Sequence, residues 1–335
     1  MPARVRSALG LCAILAFWPK IALAQISFDM TGARALGMGG AFVAVADDPT
    51  AVHWNPAALV RGEAVGLTIG ADWFQFRNGN RPALPGATRQ SANLISIGTW
   101  PLGLSFGSEC ASRITQAVAG GTSVESLSLK HLGVTVLQTV FDTDAFGGEF
   151  SLVAGATVKF SRGTARIAEL SFPSTIGEAF DVVSESAGRA SGTVDLDIGL
   201  HAEMPRLRAG VTFKNLRQPR FHTIADSAIT VKRRARLGVA FAPRDGLTFA
   251  LDVDLDTADP LVGLRRVIAL GGESRLGPRL FVRGGVRWQR EADRRPAGAL
   301  GASVLLRPGF WLDGYFTPQS RDDGQGFGMA LRVGL

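Results

Sequence analysis

The chain has 335 residues, 46% of them hydrophobic, and carries 36 Lys and Arg against 29 Asp and Glu, a formal net charge of +7. That length can bury a sizeable core, and so mild a basic excess gives no reason to expect nucleic acid as a partner. Beyond the first residues no uninterrupted apolar run reaches the roughly twenty residues a membrane helix needs, so a membrane-bound form would cross with strands. At the N-terminus, Arg4 and Arg6 precede an apolar run from Ala8 to Trp18, and Ala22-Leu23-Ala24 supplies a small-x-small site before Gln25. Residues 1–24 therefore read as a secretory signal peptide, cleaved after Ala24 and outside the fold. Removing Arg4, Arg6 and Lys20 takes the net charge from +7 to +4. Cys12 goes with the signal, and Cys110 is then alone, so no intramolecular disulfide is expected despite an oxidising destination.

The next stretch, Gly32 to Leu59, is the densest in small residues and turn chemistry. Gly32, Gly37, Gly39 and Gly40 permit positive φ or close approach of another surface. Asp47-Asp48-Pro49 and Asn55-Pro56 are turn signals, and the apolar run between them, Ala51 to Trp54, is too short to span anything. A phosphate-cradling loop would need a further glycine where Phe42 stands, and no strand precedes it. The string GMGGAFVAVADDPTAVHWNPAAL closely resembles the N-terminal signature of FadL-like outer-membrane barrels, above all the PorV/PorQ branch. The resemblance implies that residues 25–62 form a plug inside a barrel spanning residues 63–335. Asn55-Pro56-Ala57 matches that family's Asn-Pro-Ala motif residue by residue. Gly37, Gly39, Gly40, Asp47, Asp48 and Trp54 complete the plug signature.

From Glu63 onward the period is two. In Gly246 to Asp256, Leu247, Phe249, Leu251, Val253 and Leu255 take one face, and Thr248, Ala250, Asp252, Asp254 and Asp256 take the other. Thr193 to Glu203 and Arg206 to Lys214 repeat the arrangement, with Asp195, Asp197, Gly199, His201, Gly210 and Thr212 on polar faces. Fourteen such segments are expected near 63–76, 91–100, 102–109, 124–139, 148–161, 192–204, 206–217, 235–242, 246–256, 264–275, 279–289, 297–307, 309–317 and 325–335. In the fourth, the apolar phase slips between Leu129 and Leu132, which predicts a bulge near Gly133.

Long links (77–90, 110–123, 162–191, 218–234) alternate with short ones at Pro101, Pro205, Ala242 to Asp245 and Pro308. That alternation predicts an all-β, up-and-down transmembrane β-barrel of about fourteen strands, with termini and plug on the periplasmic side. Its apolar faces, Leu251 and Val253 among them, would meet lipid, and the Ala250 face would be wet. The acidic row Asp252, Asp254, Asp256 and the basic row Arg279, Arg283, Arg287 would line the lumen, neutralise one another and offer partners to Asp47 or Asp48. Tyr315 is the lone tyrosine, so Trp73, Trp100, Trp288 and Trp311 must supply most of an aromatic girdle. The end of the chain, with Leu331, Val333 and Leu335 alternating after Gly328, resembles the strand read by the outer-membrane assembly machinery. It ends in leucine where an aromatic residue is usual. An exported soluble β-sandwich is the alternative fold, with the same polar rows solvated.

No constellation carries chemistry. Asp252 to Asp256 lacks the glycine and distant glutamate of a calcium loop, and His53, His131, His201 and His222 form no helical metal pair. No enzyme activity, cofactor or metal is expected. Two functions remain open from the resemblance. One is FadL-like passage of a fatty-acid-like hydrophobic small molecule from the outer membrane, held against the plug. The other is a PorV-like closed barrel that docks secreted protein cargo.

Overall fold

A strand that alternates apolar and polar side chains presents two unlike faces, and closing a ring of such strands sends one face outward and the other into an enclosed lumen. The chain does this. A computed structural model describes residues 31–75, 87–116, 121–143, 149–170, 175–256, 266–289, 296–318 and 325–335. The signal segment 1–24, the start of the plug segment, most of the 77–90 link and all of the 257–263 link lie outside the described residues.

The chain begins with two short helices, α1 (Ala33–Gly37) and α2 (Ala51–Trp54), and a 3-10 turn at Pro56–Arg61. Five strands follow: β1 (Val65–Gln75), β2 (Thr88–Thr99), β3 (Leu102–Gln116), β4 (Thr122–Thr143) and β5 (Phe150–Leu170). Helix α3 (Ile176–Glu185) precedes β6 (Arg189–Glu203) and β7 (Leu207–Lys214), and β8 (Arg220–His222) and β9 (Ala228–Thr230) form a small hairpin. The ring resumes with β10 (Arg234–Arg244), β11 (Leu247–Asp254), β12 (Val267–Leu276), β13 (Leu280–Gln289), β14 (Ala297–Arg307), β15 (Phe310–Thr317) and β16 (Gln325–Gly334). Fourteen strands pair antiparallel in one closed ring; β7 pairs with β10, and β1 closes on β16 from Gly66↔Gly334 to Gln75↔Gln325. Closure leaves the ring itself without an edge strand.

The outward face is apolar: Ile69, Leu104, Val136, Phe160, Leu251, Leu270, Leu300 and Phe327 are all exposed. A soluble sandwich would bury such a face, so that alternative is overturned. Trp73, Trp100 and Trp288 are exposed on the outside, whereas Tyr315 is buried within the ring.

Several expectations need correction. The link expected at 110–123 is largely strand, because β3 and β4 run on to Gln116 and from Thr122. The link expected at 162–191 holds the end of β5, all of α3 and the start of β6; the 218–234 link holds the β8–β9 hairpin. Gly133 pairs regularly with Ser105 and Lys159, and the register shift in β4 lies between Thr139 and Phe141 instead. The apparent phase slip arises because Leu129 faces inward under the hairpin while Leu132 faces out. Arg279 stands exposed in the turn between β12 and β13, not in a lumen row, and Asp256 lies just beyond the end of β11. Ala250 does face inward, but its surroundings are dry: it is buried in the apolar cluster that also holds Ala44 and Val45 of the plug.

Strand lengths divide the ring. β4 and β5 have 22 and 21 residues, while β11 and β15 have 8 each. The extensions of β3–β5 rise past one rim as a curved wall. Helix α3 covers its outer face through Ile176, Ala179, Phe180 and Val183, packed on Ile114 and Val124. Thr175 caps α3, accepting from the Glu178 N–H while Glu178 accepts from the Thr175 N–H. The β8–β9 hairpin covers the inner face.

Candidate functional site

The ring encloses a lumen, and two segments fill it from opposite ends. From the short-turn end comes the plug. Residues 32–46 and 48–52 are buried without exception, an unusual state for a segment with so little regular structure. Its backbone polar groups must find partners inside the ring. Some come from the wall: Asp252 accepts the Phe42 and Val43 N–H groups at 2.9 and 3.0 Å, and Asp72 accepts the Gly32 N–H at 2.9 Å. Asn55 supplies others. Its backbone is extended (φ −156, ψ 104), and its side-chain amide donates to the carbonyls of Val43 in the plug and Leu200 in β6, at 3.1 and 3.0 Å. Its side-chain oxygen accepts from the Ala57 N–H, capping the 3-10 turn that Pro56 begins. Trp54 donates its indole N–H to the Thr31 carbonyl at 3.0 Å and meets Phe42 edge-on.

The wall yields room where the plug touches it. At Gly210 a Cβ would lie 2.7 Å from the Asn55 amide nitrogen, and at Gly155 it would lie 2.6 Å from the Ala57 nitrogen. Gly199, Gly271 and Gly285 are equally closed, against Asn55 and Met38. These glycines occupy inward positions of five different strands, so the backbone of the plug lies directly on the backbone of the wall. Gly199 and Gly210 stand on the polar faces visible in the sequence, and a glycine recurring there was the available sign of close approach.

Charge ties plug to wall through a residue that sequence reasoning passed over. Arg34 in α1 reaches Glu273 of β12 with two bonds, 3.0 and 2.7 Å, and also bonds Asp47 and, at 3.2 Å, Asp48. The expected pairing of Asp47 or Asp48 with Arg279, Arg283 or Arg287 is therefore corrected: the plug's own arginine holds both aspartates. Arg283 donates to Glu273 at 3.0 Å and bonds Ser303, which bonds Asp313; Arg332 completes the chain at 3.2 Å. Arg287 reaches the Gly39 carbonyl at 3.4 Å. Asp254 pairs with Arg236 and Arg234 of β10, at 2.6 and 2.9 Å. Burial works to raise the Asp47 carboxyl, but Arg34 beside it holds it down at about 2. A lone arginine among small apolar residues was the signal for this network, since buried arginine demands carboxylate partners.

From the other end comes the hairpin. Phe221 and Ile229, with Val231, pack on Ala111, Leu127, Leu129 and Ala165 of the inner wall. Its base is anchored by main-chain donors: Asn215 N–H to Asp197 at 2.8 Å and Arg217 N–H to Asp195 at 3.1 Å. Between plug and hairpin a cavity of about 40 Å³ remains, bordered by Glu109, His131, Lys159, Asp195, Asp197 and Lys214. It has room for roughly three waters. Lys159 bridges Asp197 and the Asn215 side chain at 2.8 Å each. On the plug side Lys214 lies 2.9 Å from His53, and burial first, then that ammonium, keeps His53 neutral. His131 and Ser161 border this chamber on one side and a groove on the outer face of β3–β6 on the other. Among the described residues no cluster of His, Cys, Asp and Glu is arranged to hold a metal.

Residues 83–254, just over half of the chain, match the family described as "F plasmid transfer operon, TraF, protein". The chain belongs to that family. No curated protein matches it. Among solved structures it is similar to the CymD monoaromatic hydrocarbon channel, at 14% identity and a TM-score of 0.63, covering 92% of this chain and 99% of that one. The toluene transporter TbuX of Ralstonia pickettii follows at 12% identity and 0.58, over 92% and 99%. A FadL homologue of Pseudomonas aeruginosa gives 10% and 0.57, over 91% and 98%. Likeness at such identities establishes a shared barrel fold, reached from both chains over nearly their whole length.

Proposed function

We propose that the protein is an outer-membrane barrel, exported by its cleaved signal peptide, that admits hydrophobic small molecules through a lumen plugged by residues 25–62. One observation carries the reading: the inner wall of β3–β5 bears an apolar surface, Ala111, Leu127, Leu129 and Ala165, whose cover is the short β8–β9 hairpin. When β8–β9 lifts, that surface faces the mouth of the barrel and offers a solute what Phe221 and Ile229 now occupy. The names of the solved neighbours, which include hydrocarbon channels, support the same class of solute. The plug then serves as the floor against which the solute rests, with Asn55, Pro56 and Ala57 fixing its seat on β5 and β6.

The test is extraction of purified protein into organic solvent, with mass spectrometry for a co-purifying apolar compound, in parallel for wild type and Leu129→Asp. We expect a fatty-acid-like or aromatic compound from the wild type and its loss from the variant, with the folded barrel confirmed on unheated gels. No apolar compound from either, and no binding of added fatty acid or toluene, would reject uptake. A second reading, PorV-like docking of secreted cargo, draws on the closure of the lumen at both ends. It expects a protein partner on the loop-side rim and no solute.

A further inference from the structure

The outer face of the long-strand wall carries a feature that solute passage does not use. In the cross-strand row Ser108–Lys130–Arg162–Gly192, two cations stand directly opposite each other on neighbouring strands. Like charges so placed repel and destabilise a sheet. Both side chains are exposed, and among the described residues neither has an ion-pair partner. No acid shares their row. Immediately below them the outward positions are apolar, Leu132, Val134 and Val136 on β4 and Val158 and Phe160 on β5. Positions 132–140 and 152–160 each match the roughly 9–11 residues with which a strand crosses a hydrocarbon core. Lys130 and Arg162 thus occupy the next outward step, at headgroup height on the loop side.

A groove of about 510 Å³ opens at this point, lined by Phe106, Leu132, Phe160 and Val194 below the two cations. Gly192 keeps it open beside Arg162, since a Cβ there would touch nothing but the Ser161 carbonyl, at 3.9 Å. Arg166, the next basic outward residue above, is already engaged with the Ser186 carbonyl at the end of α3 and with Ser128. We propose that this groove binds a phosphorylated, acylated lipid of the loop-side leaflet. Its phosphate bridges Lys130 and Arg162 and relieves their repulsion, and an acyl chain lies along Phe106, Leu132 and Phe160.

The experiment titrates purified barrel in a neutral maltoside detergent with diphosphoryl lipid A and, separately, with its dephosphorylated form, scoring adducts by native mass spectrometry. The wild type should retain the diphosphoryl form, and the double variant Lys130→Gln, Arg162→Gln should bind it about tenfold more weakly. Without lipid the double variant should melt higher than wild type, because a like-charge contact is gone, and added lipid should no longer raise its melting temperature. Equal retention by wild type and variant, or equal retention of the two lipid forms, would overturn the proposal. If the double variant does not fold, Lys130→Gln alone with the two lipid forms decides. Solute extraction is a separate readout, so this proposal and the uptake reading fail independently.

Discussion

The plug and the hairpin both fill the same lumen, yet they are held by opposite physics. The plug meets the wall through buried carboxylates, one bidentate arginine and backbone laid on glycine. The hairpin meets it through a handful of apolar side chains, with polar anchors at the base of the loop and one exposed ion pair, Arg189 to Asp226 at 3.4 Å, at its tip. Hydrogen-bonded buried charge is costly to separate, because each partner left behind is stranded in a low dielectric. An apolar contact between two three-residue strands and a wall is cheap to open locally. The difference makes a prediction about uptake: the plug stays seated as the floor and the hairpin opens as the lid.

The largest effect should come from removing the floor. Deleting residues 32–59 should leave a barrel that still resists unheated electrophoresis but conducts ions freely, measured as single-channel conductance. Unchanged conductance in a folded deletion would mean that the segment does not seal the lumen. Next in size, Arg34→Ala should cost about 3–5 kcal/mol in plug stability, since it takes the shared cation from buried Asp47 and Asp48 and leaves Glu273 with Arg283. Amide exchange of residues 32–59 should accelerate accordingly, while exchange in β3–β5 stays slow.

Asn55→Ala removes two donors and one acceptor from buried backbone, and we expect about 1–3 kcal/mol of loosening and a measurable leak of small hydrophilic solutes. Acid probes the same floor. Because the folded Asp47 value lies below its ordinary 3.8, its contribution is full above that value and fades as pH falls towards about 2. Leak through the wild type should therefore rise only in that acid window, and Asp47→Asn should show it already at neutral pH. The smallest effect on the whole molecule belongs to the lid. Phe221→Ala should leave barrel melting unchanged and show itself as faster amide exchange across residues 220–230. A variant that instead opens the plug would erase the distinction between floor and lid.

The barrel was legible in the sequence because period two is a local signal and is repeated in every strand. All fourteen ring strands stand where alternation placed them, and Leu251 and Asp252 face opposite ways as their positions require. What escaped was either non-local or locally ambiguous. The upper part of β5, Gly163 to Leu170, faces hairpin on one side and α3 on the other, so neither face had to be polar and the alternation faded. Helix α3 did announce itself, through Thr175 and Glu178 and the spacing of Ile176, Ala179, Phe180 and Val183, inside a link expected to be irregular. The partners of Arg34 could not be read, because Glu273 lies far along the chain and only closure of the ring brings it under the plug. Arg279 misled for the opposite reason: it keeps the phase of Arg283 and Arg287 but falls in the turn, one residue before β13 begins.

The central claim, a fixed floor beneath a movable lid, is tested most directly by replacing residues 220–230 with a short glycine-serine link. The measurement is initial uptake of a labelled monoaromatic hydrocarbon and of a labelled fatty acid by cells carrying the protein, alongside its ionic conductance. The account predicts faster uptake of at least one of the two, with conductance as low as in the wild type because the plug is still seated. Uptake no different from cells lacking the protein, or conductance that rises with the lid removed, would contradict it.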